Sequence, residues 1–273
     1  MPNQEWSQIT HNDNLNVDLL HAFYIEHAYP RHSHDYYVIC VIEQGLQSFW
    51  HNGKKHITPP GGVILINPGD VHTGEAVDNL GFKMRSIYPT LTHMQTLTSE
   101  LTGHPQKLPF FNSVRVDDHW ARECILAIHE TLTNGSSALE CESSFTWNLA
   151  RLIRAYADLH PTEPKLGREQ KAIELARSYI EDCYSVGVTL TELAAHVSLS
   201  PYYLIRSFRA EVGMPPHAYL ESVRIRHTQR LIEEGRPLAE VASDVGFSSQ
   251  SHMNRSFKKI IGVSPGQYAQ QFR

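Results

Sequence analysis

The chain has no apolar run of about 18 residues, so no membrane span is expected. Its first sixteen residues are polar and lack the apolar core of a secretion signal. Cysteine is sparse: Cys40, Cys124, Cys141 and Cys183 are scattered, and no Cys-x-x-Cys occurs. That spacing argues against a disulfide or zinc framework and for buried thiols in a reducing, cytoplasmic compartment. An excess of positive charge is also missing, since 24 Lys and Arg stand against 29 Asp and Glu, a formal net charge of −5. Spread evenly, that balance would speak against a nucleic-acid partner. It is not spread evenly. Residues 1–164 carry ten basic and eighteen acidic side chains, net −8, while residues 165–273 carry fourteen and eleven, net +3. An acidic module precedes a mildly basic one.

What the chain does have is a repeat near its C-terminus. One copy runs Leu190-Thr191-Glu192-Leu193-Ala194-Ala195, Ser200, Arg206-Ser207-Phe208, then Gly213-Met214-Pro215-Pro216-His217-Ala218-Tyr219. The other runs Leu238-Ala239-Glu240-Val241-Ala242-Ser243, Ser248, Arg255-Ser256-Phe257, then Gly262-Val263-Ser264-Pro265-Gly266-Gln267-Tyr268. The offset is 48 residues early and 49 late, so one extra residue lies in the turn of the second copy. Each unit reads helix, turn, helix. Thr189-Leu190-Thr191-Glu192 is a capping box. Ser200-Pro201 opens the second helix as N-cap and first-turn proline. There Leu204 and Phe208 face inward, and Tyr202, Ile205, Arg206 and Arg209 share the other face at helical spacing. In the second copy Met253 and Phe257 face inward, and Gln250, Ser251, Asn254, Arg255 and Lys258 outward. A helix over about Tyr219 to Glu234 joins the copies. One face on the scaffold and one free for base edges is what a major-groove helix requires.

Before residue 95 the pattern is that of strands. Tyr36–Ile42, Val63–Ile66 and Phe82–Tyr88 are short apolar runs, and Asn52-Gly53 between Leu46–His51 and Lys55–Thr58 is a hairpin signal. Such strands predict a small barrel or sandwich. Helical periodicity follows, over Trp120–Leu132 and about Leu139–Leu159. Phe145, Leu149, Leu152, Tyr156 and Leu159 form one apolar stripe, which fits either packing on the chain's own barrel or a dimer seam. His160-Pro161-Thr162-Glu163-Pro164 breaks the helix as a linker.

Residues 166–273 resemble the AraC/XylS family of bacterial transcription regulators. The matching positions are Leu190-x-x-Leu193-Ala194, Ser200-x-x-x-Leu204-x-Arg206-x-Phe208, Ile225, Val241-Ala242, Gly246-Phe247, Phe257-Lys258 and Gly262-x-x-Pro265-x-x-Tyr268. The resemblance implies that Tyr202, Ile205 and Arg206 face bases from one helix and Gln250, Ser251, His252 and Arg255 from the other. Arg31-His32-Ser33-His34, Gly45, Gly62 and Pro68-Gly69-Asp70-Val71-His72 resemble a cupin barrel, the sensor of many such regulators. In a strand His32 and His34 project to one face and, with His72, could form a three-His metal site. The glutamate usual in the cupin pattern is replaced by Val38, so no metal or other cofactor is expected. The expected site is instead a pocket for a small organic effector, lined by Tyr24, Arg31, His32, His34, Tyr37, Trp50 and His72.

The expected fold class is α+β and multidomain. A cupin-like β-barrel over about residues 20–95 carries a helical dimerisation segment over about 117–160, within a domain 1–160. A linker 161–166 leads to an all-α tandem helix-turn-helix domain, 167–273. The resemblance implies a cytoplasmic, dimeric, effector-responsive activator acting on double-stranded DNA and RNA polymerase, without enzymatic activity. The alternative is a metal-dependent cupin enzyme or metal sensor fused to a DNA-binding tail.

Overall fold

The computed structural model describes residues 4–159, 169–261 and 264–270, and of Arg31 the backbone only. The expected linker 161–166 lies outside the described residues. The chain divides into two compact units. One contains the described residues 4–133 and 147–159; the other groups Asn134–Thr146 with the C-terminal helices.

The first unit is built on two antiparallel sheets. Strands β1 (Trp6–Asn12), β2 (Val17–Tyr24), β4 (Val38–Gly45), β7 (Val63–Ile66), β9 (Phe82–Tyr88) and β10 (Arg115–Val116) form a six-stranded sheet in the order β1-β2-β9-β4-β7-β10. Strands β3 (Tyr29–His32), β5 (Gln47–His51), β6 (Lys54–Thr58) and β8 (His72–Ala76) form a four-stranded one, in the order β3-β8-β5-β6. The Asn52-Gly53 turn has φ of 48° and 75° at its two central residues, the left-handed pair that a tight β5–β6 hairpin needs. The apolar faces enclose one core, with Leu20, Ala22, Val38, Cys40, Ile42, Phe49, Ile64, Ile66, Phe82 and Met84 packed together. Helix α1 (Leu91–Thr102) follows β9, and α2 (His119–Thr133) packs on β9 and β4.

Among the elements that were not anticipated, two have a plain physical reason. Strand β1 is an edge strand with almost no buried residue, so its sequence lacks the alternation that marks a half-buried strand. Helix α1 opens on a capping box in which His93, rather than Glu or Gln, reaches back to the Thr90 backbone.

Helix α3 (Ala138–Tyr156) corrects the expected dimer seam. Phe145, Leu149 and Leu152 are fully buried within a single chain, so that stripe is spent on the chain's own packing and offers a second copy no access. Tyr156 sits against Trp120 and donates a hydrogen bond to Asp118.

The second unit strings α4 (Gln170–Asp182), α5 (Leu190–His196), α6 (Pro201–Val212), α7 (Pro216–Glu233), α8 (Leu238–Asp244), α9 (Gln250–Ile261) and α10 (Pro265–Ala269). Thr189 and Glu192 form the capping box of α5, and Ser200 caps α6 through the Tyr203 N–H. In the second copy Ser249 supplies the equivalent hydroxyl, accepting from the His252 N–H at 3.1 Å. The two turns keep the same offset up to their left-handed residue, Ser198 (φ 55°) and Gly246 (φ 82°), 48 positions apart. The extra residue therefore lies between that turn and the cap. Around α7, the second copy packs Ile225, Ile232, Val241, Ala242, Val245, Phe247, Met253 and Phe257 into one cluster.

Candidate effector pocket and nucleic-acid interface

A cavity of about 160 Å³ opens within the barrel. That is about the size of an engineered cavity that holds one benzene molecule, so it suits a ligand of one small ring or a short chain. Its floor is apolar, with Val38, Cys40, Phe49, Ile64, Ile66 and Met84; its rim carries Tyr29, Tyr36, Tyr88, Gln47 and three histidines. Alternation explains the set. His32, His34, Tyr36, Val38 and Cys40 are every second residue leading into and along β4, and Gln47 and Phe49 do the same along β5.

His32, His34 and His72 converge, with ring centroids 4.5–5.1 Å apart. β3 pairs with β8 so that His32 lies directly opposite His72. The His32 Nδ1–H donates to the Pro30 carbonyl at 2.7 Å and the His72 Nδ1–H to the Asp70 carbonyl at 2.9 Å. A carbonyl can only accept, so the neutral tautomer leaves each Nε2 with its lone pair. Burial, reinforced by the neighbouring His72 and His32, holds His34 down at about 4, and burial likewise lowers His72. Both are neutral at pH 7. The Gln47 Oε1 is buried without a hydrogen-bond partner, in a residue only 7% exposed.

Of the residues expected in this pocket, His32, His34 and His72 line it. Tyr24 lies behind the rim, where its hydroxyl accepts from Tyr29 at 3.0 Å. The Arg31 side chain lies outside the described residues. Tyr37 and Trp50 are corrections. Tyr37 has the opposite parity to His34 and Tyr36; it points away and donates to the Pro109 carbonyl at 2.6 Å. Trp50 alternates with the inward Phe49 and is half exposed on the outer face. Tyr29, Tyr36, Gln47, Phe49, Met84 and Tyr88 were missed. Carrying the period of two backward and forward from His34 would have found Tyr36.

The second unit carries the candidate nucleic-acid face. On α9, Gln250, Ser251, Arg255 and Lys258 are exposed, and His252 and Asn254 are half-buried. His252 leans on Phe247 and meets the Ser248 hydroxyl at 3.2 Å. On α6, Arg209 is exposed and Arg206 half-exposed. Tyr202 and Ile205 are corrections, being 5% and 1% exposed. They lie about 120° and 60° around the helix from Phe208, so the buried arc of α6 is wider than its Leu204–Phe208 stripe. Both side chains are taken up by the packing of α6 and are not presented to base edges.

Comparisons with known proteins match both units. Residues 14–149 fit the model of the AraC-like ligand binding domain, and residues 193–271 a helix-turn-helix domain. The uncharacterized HTH-type transcriptional regulator YbfI of Bacillus subtilis (strain 168) is 32% identical, covering 84% of this chain and 82% of that one. The HTH-type transcriptional activator RhaS of Klebsiella pneumoniae (strain 342) is 25% identical, over 87% of this chain and 86% of that one. Among solved structures, the C-terminal domain of AraT, a response regulator from Geobacillus stearothermophilus, is 32% identical over 38% of this chain and 88% of that chain, with a TM-score of 0.37.

Proposed function

The chain belongs to the AraC family of transcriptional regulators, and on that premise we propose that it is a sequence-specific activator switched by a small organic effector in the barrel pocket. The observation that carries the reading is α9, whose exposed face gathers Gln250, Ser251, Arg255 and Lys258 just after a capped N-terminus. Amide and guanidinium groups there match the donor and acceptor pattern of base edges, and Lys258 suits a phosphate. In the α6 copy, Arg206 and Arg209 make the contacts, without Tyr202 or Ile205. Activation is inferred from the likeness to the RhaS activators. This reading places the chain in the cytoplasm, with double-stranded DNA, RNA polymerase and a second copy of itself as partners, and gives it no catalytic role. Among the described residues no helix is long and apolar enough to cross a membrane.

Selection of bound duplexes from a random library tests the DNA half. Two enriched elements about one helical turn (10–10.5 base pairs) apart are expected. No enrichment would overturn it. For the pocket, a reporter driven by the selected sequence should lose its effector response in His34→Ala; a full response would place the effector elsewhere.

A further inference from the structure

We propose that His32, His34 and His72 hold one divalent transition-metal ion of the zinc class, and that this ion anchors the effector, a small hydroxycarboxylate. The inference rests on the barrel pocket being the effector site.

Three observations carry it. First, one ring nitrogen from each histidine lies within 4.8 Å of the others, on the half-buried wall of the cavity. Metal–nitrogen bonds of about 2.0–2.1 Å at tetrahedral angles need donors about 3.4 Å apart, so the rings must close in by no more than about 1.4 Å on binding. Second, His32 and His72 are oriented as metal-bound imidazoles are. Each is held by an Nδ1–H bond to a backbone carbonyl, at 2.7 and 2.9 Å, which fixes the tautomer and leaves Nε2 as donor. The backbone of the sheet places His32 opposite His72. Third, the wall supplies electron pairs in excess: two Nε2 atoms, with the Gln47 Oε1 buried and unpartnered beside the same cavity.

The donor set then names the ligand class. Imidazole is a neutral ligand, and no carboxylate lines the cavity among the described residues. Asp70 is turned aside, accepting from the Asn67 backbone N–H and Nδ2 at 3.2 and 3.1 Å. A dication held there keeps its full charge and an open coordination position facing the pocket. A carboxylate satisfies both. A hydroxyl on the same molecule can donate to the Gln47 Oε1, and the cavity of about 160 Å³ limits the ligand to a few carbons. The absent carboxylate ligand, at the position Val38 occupies, is what leaves the charge for the effector to neutralise.

The test uses the full chain, untagged, stripped with a chelator. Titration with Co(II) chloride should show one site per chain, with the visible absorption of a low-coordinate nitrogen-ligated ion. His32→Gln and His72→Gln should each weaken it roughly a hundredfold, and circular dichroism should confirm that both variants are folded. Binding in the variants equal to the wild type would overturn the site, since other histidines would then be holding the ion. Thermal shift with glycolate and L-lactate comes next, on stripped and Zn(II)-loaded protein. Stabilisation of the loaded form alone is expected. Equal stabilisation of both forms would overturn the metal while leaving the pocket reading intact. Metal binding with no response to either acid would overturn the effector class.

Discussion

Arg255 on α9 and Ile205 on α6 belong to two copies of one motif, and their fates differ. Arg255 is exposed and Ile205 is 1% exposed. Arg255→Ala should weaken binding to the selected sequence by about 1–3 kcal/mol, as for a lost bidentate base contact, with a much smaller change on random DNA. Equal losses by fluorescence anisotropy on both would reduce Arg255 to a phosphate contact. Ile205→Ala should instead destabilise the fold by about 2–5 kcal/mol in urea unfolding, as a buried large-to-small change does. A loss of specificity at unchanged stability would contradict its burial. His129 gives a pH signature. Its ring donates to the Ser86 carbonyl at 2.8 Å, and burial holds it at about 4 in the folded chain against an ordinary value of 6.5. The unfolded state thus binds the extra proton between those values. The contribution is whole above pH 6.5, falls as pH drops toward 4, and is lost below. Urea midpoints of His129→Gln should vary less over that window than those of the wild type; identical slopes would sink the assignment.

At the scale of elements, the segment between α4 and α5 is the keystone of the C-terminal unit. Arg224 of α7 is 5% exposed; its Nε donates to the Tyr184 carbonyl at 2.7 Å and a terminal nitrogen to the Val186 carbonyl at 3.2 Å. Burial lowers its guanidinium to about 10, still protonated at neutral pH. Gly246, in the α8–α9 turn, touches the same segment: a Cβ there would meet the Ser185 carbonyl oxygen at 2.6 Å, at a φ of 82° that side chains avoid. Arg224→Ala leaves two carbonyls without their donor and should cost about 1–3 kcal/mol for each one left unsatisfied. Gly246→Ala should also lower the melting temperature, through the clash. A thermally silent Arg224→Ala would mean that water replaces the guanidinium. Arg224 shows what spacing cannot tell: it shares the connecting helix with Arg226 and Arg230, and only the packed fold turns it inward.

At the scale of the whole molecule, the two units carry separate cores, so residues 165–273 should fold and bind the selected DNA as a monomer. The full chain should bind more tightly if two copies are tethered. Anisotropy on both proteins, with sedimentation of the full chain at micromolar concentration, checks this. An unfolded fragment would show that Asn134–Thr146 is needed, as Thr191 suggests: its N–H and hydroxyl both donate to the Glu142 carboxylate, at 3.0 and 3.2 Å. A monomeric full chain would remove tethering as a source of affinity.

The sequence alone determined the order of modules, the duplicated helix-turn-helix, the capping residues Thr189 and Ser200, and the Asn52-Gly53 hairpin. These are local: a cap, a left-handed turn or an apolar period is written in residues a few positions apart, and the backbone obeys it wherever the segment ends up. The tertiary structure decided which face each residue shows. Tyr37 and Trp50 left the pocket because strand parity is absolute, yet its phase is set by pairing across the sheet. Tyr202 and Ile205 left the DNA face because the width of a buried arc depends on what packs against the helix. His32 and His72 are forty residues apart in the chain, and only the β3–β8 pairing makes them neighbours.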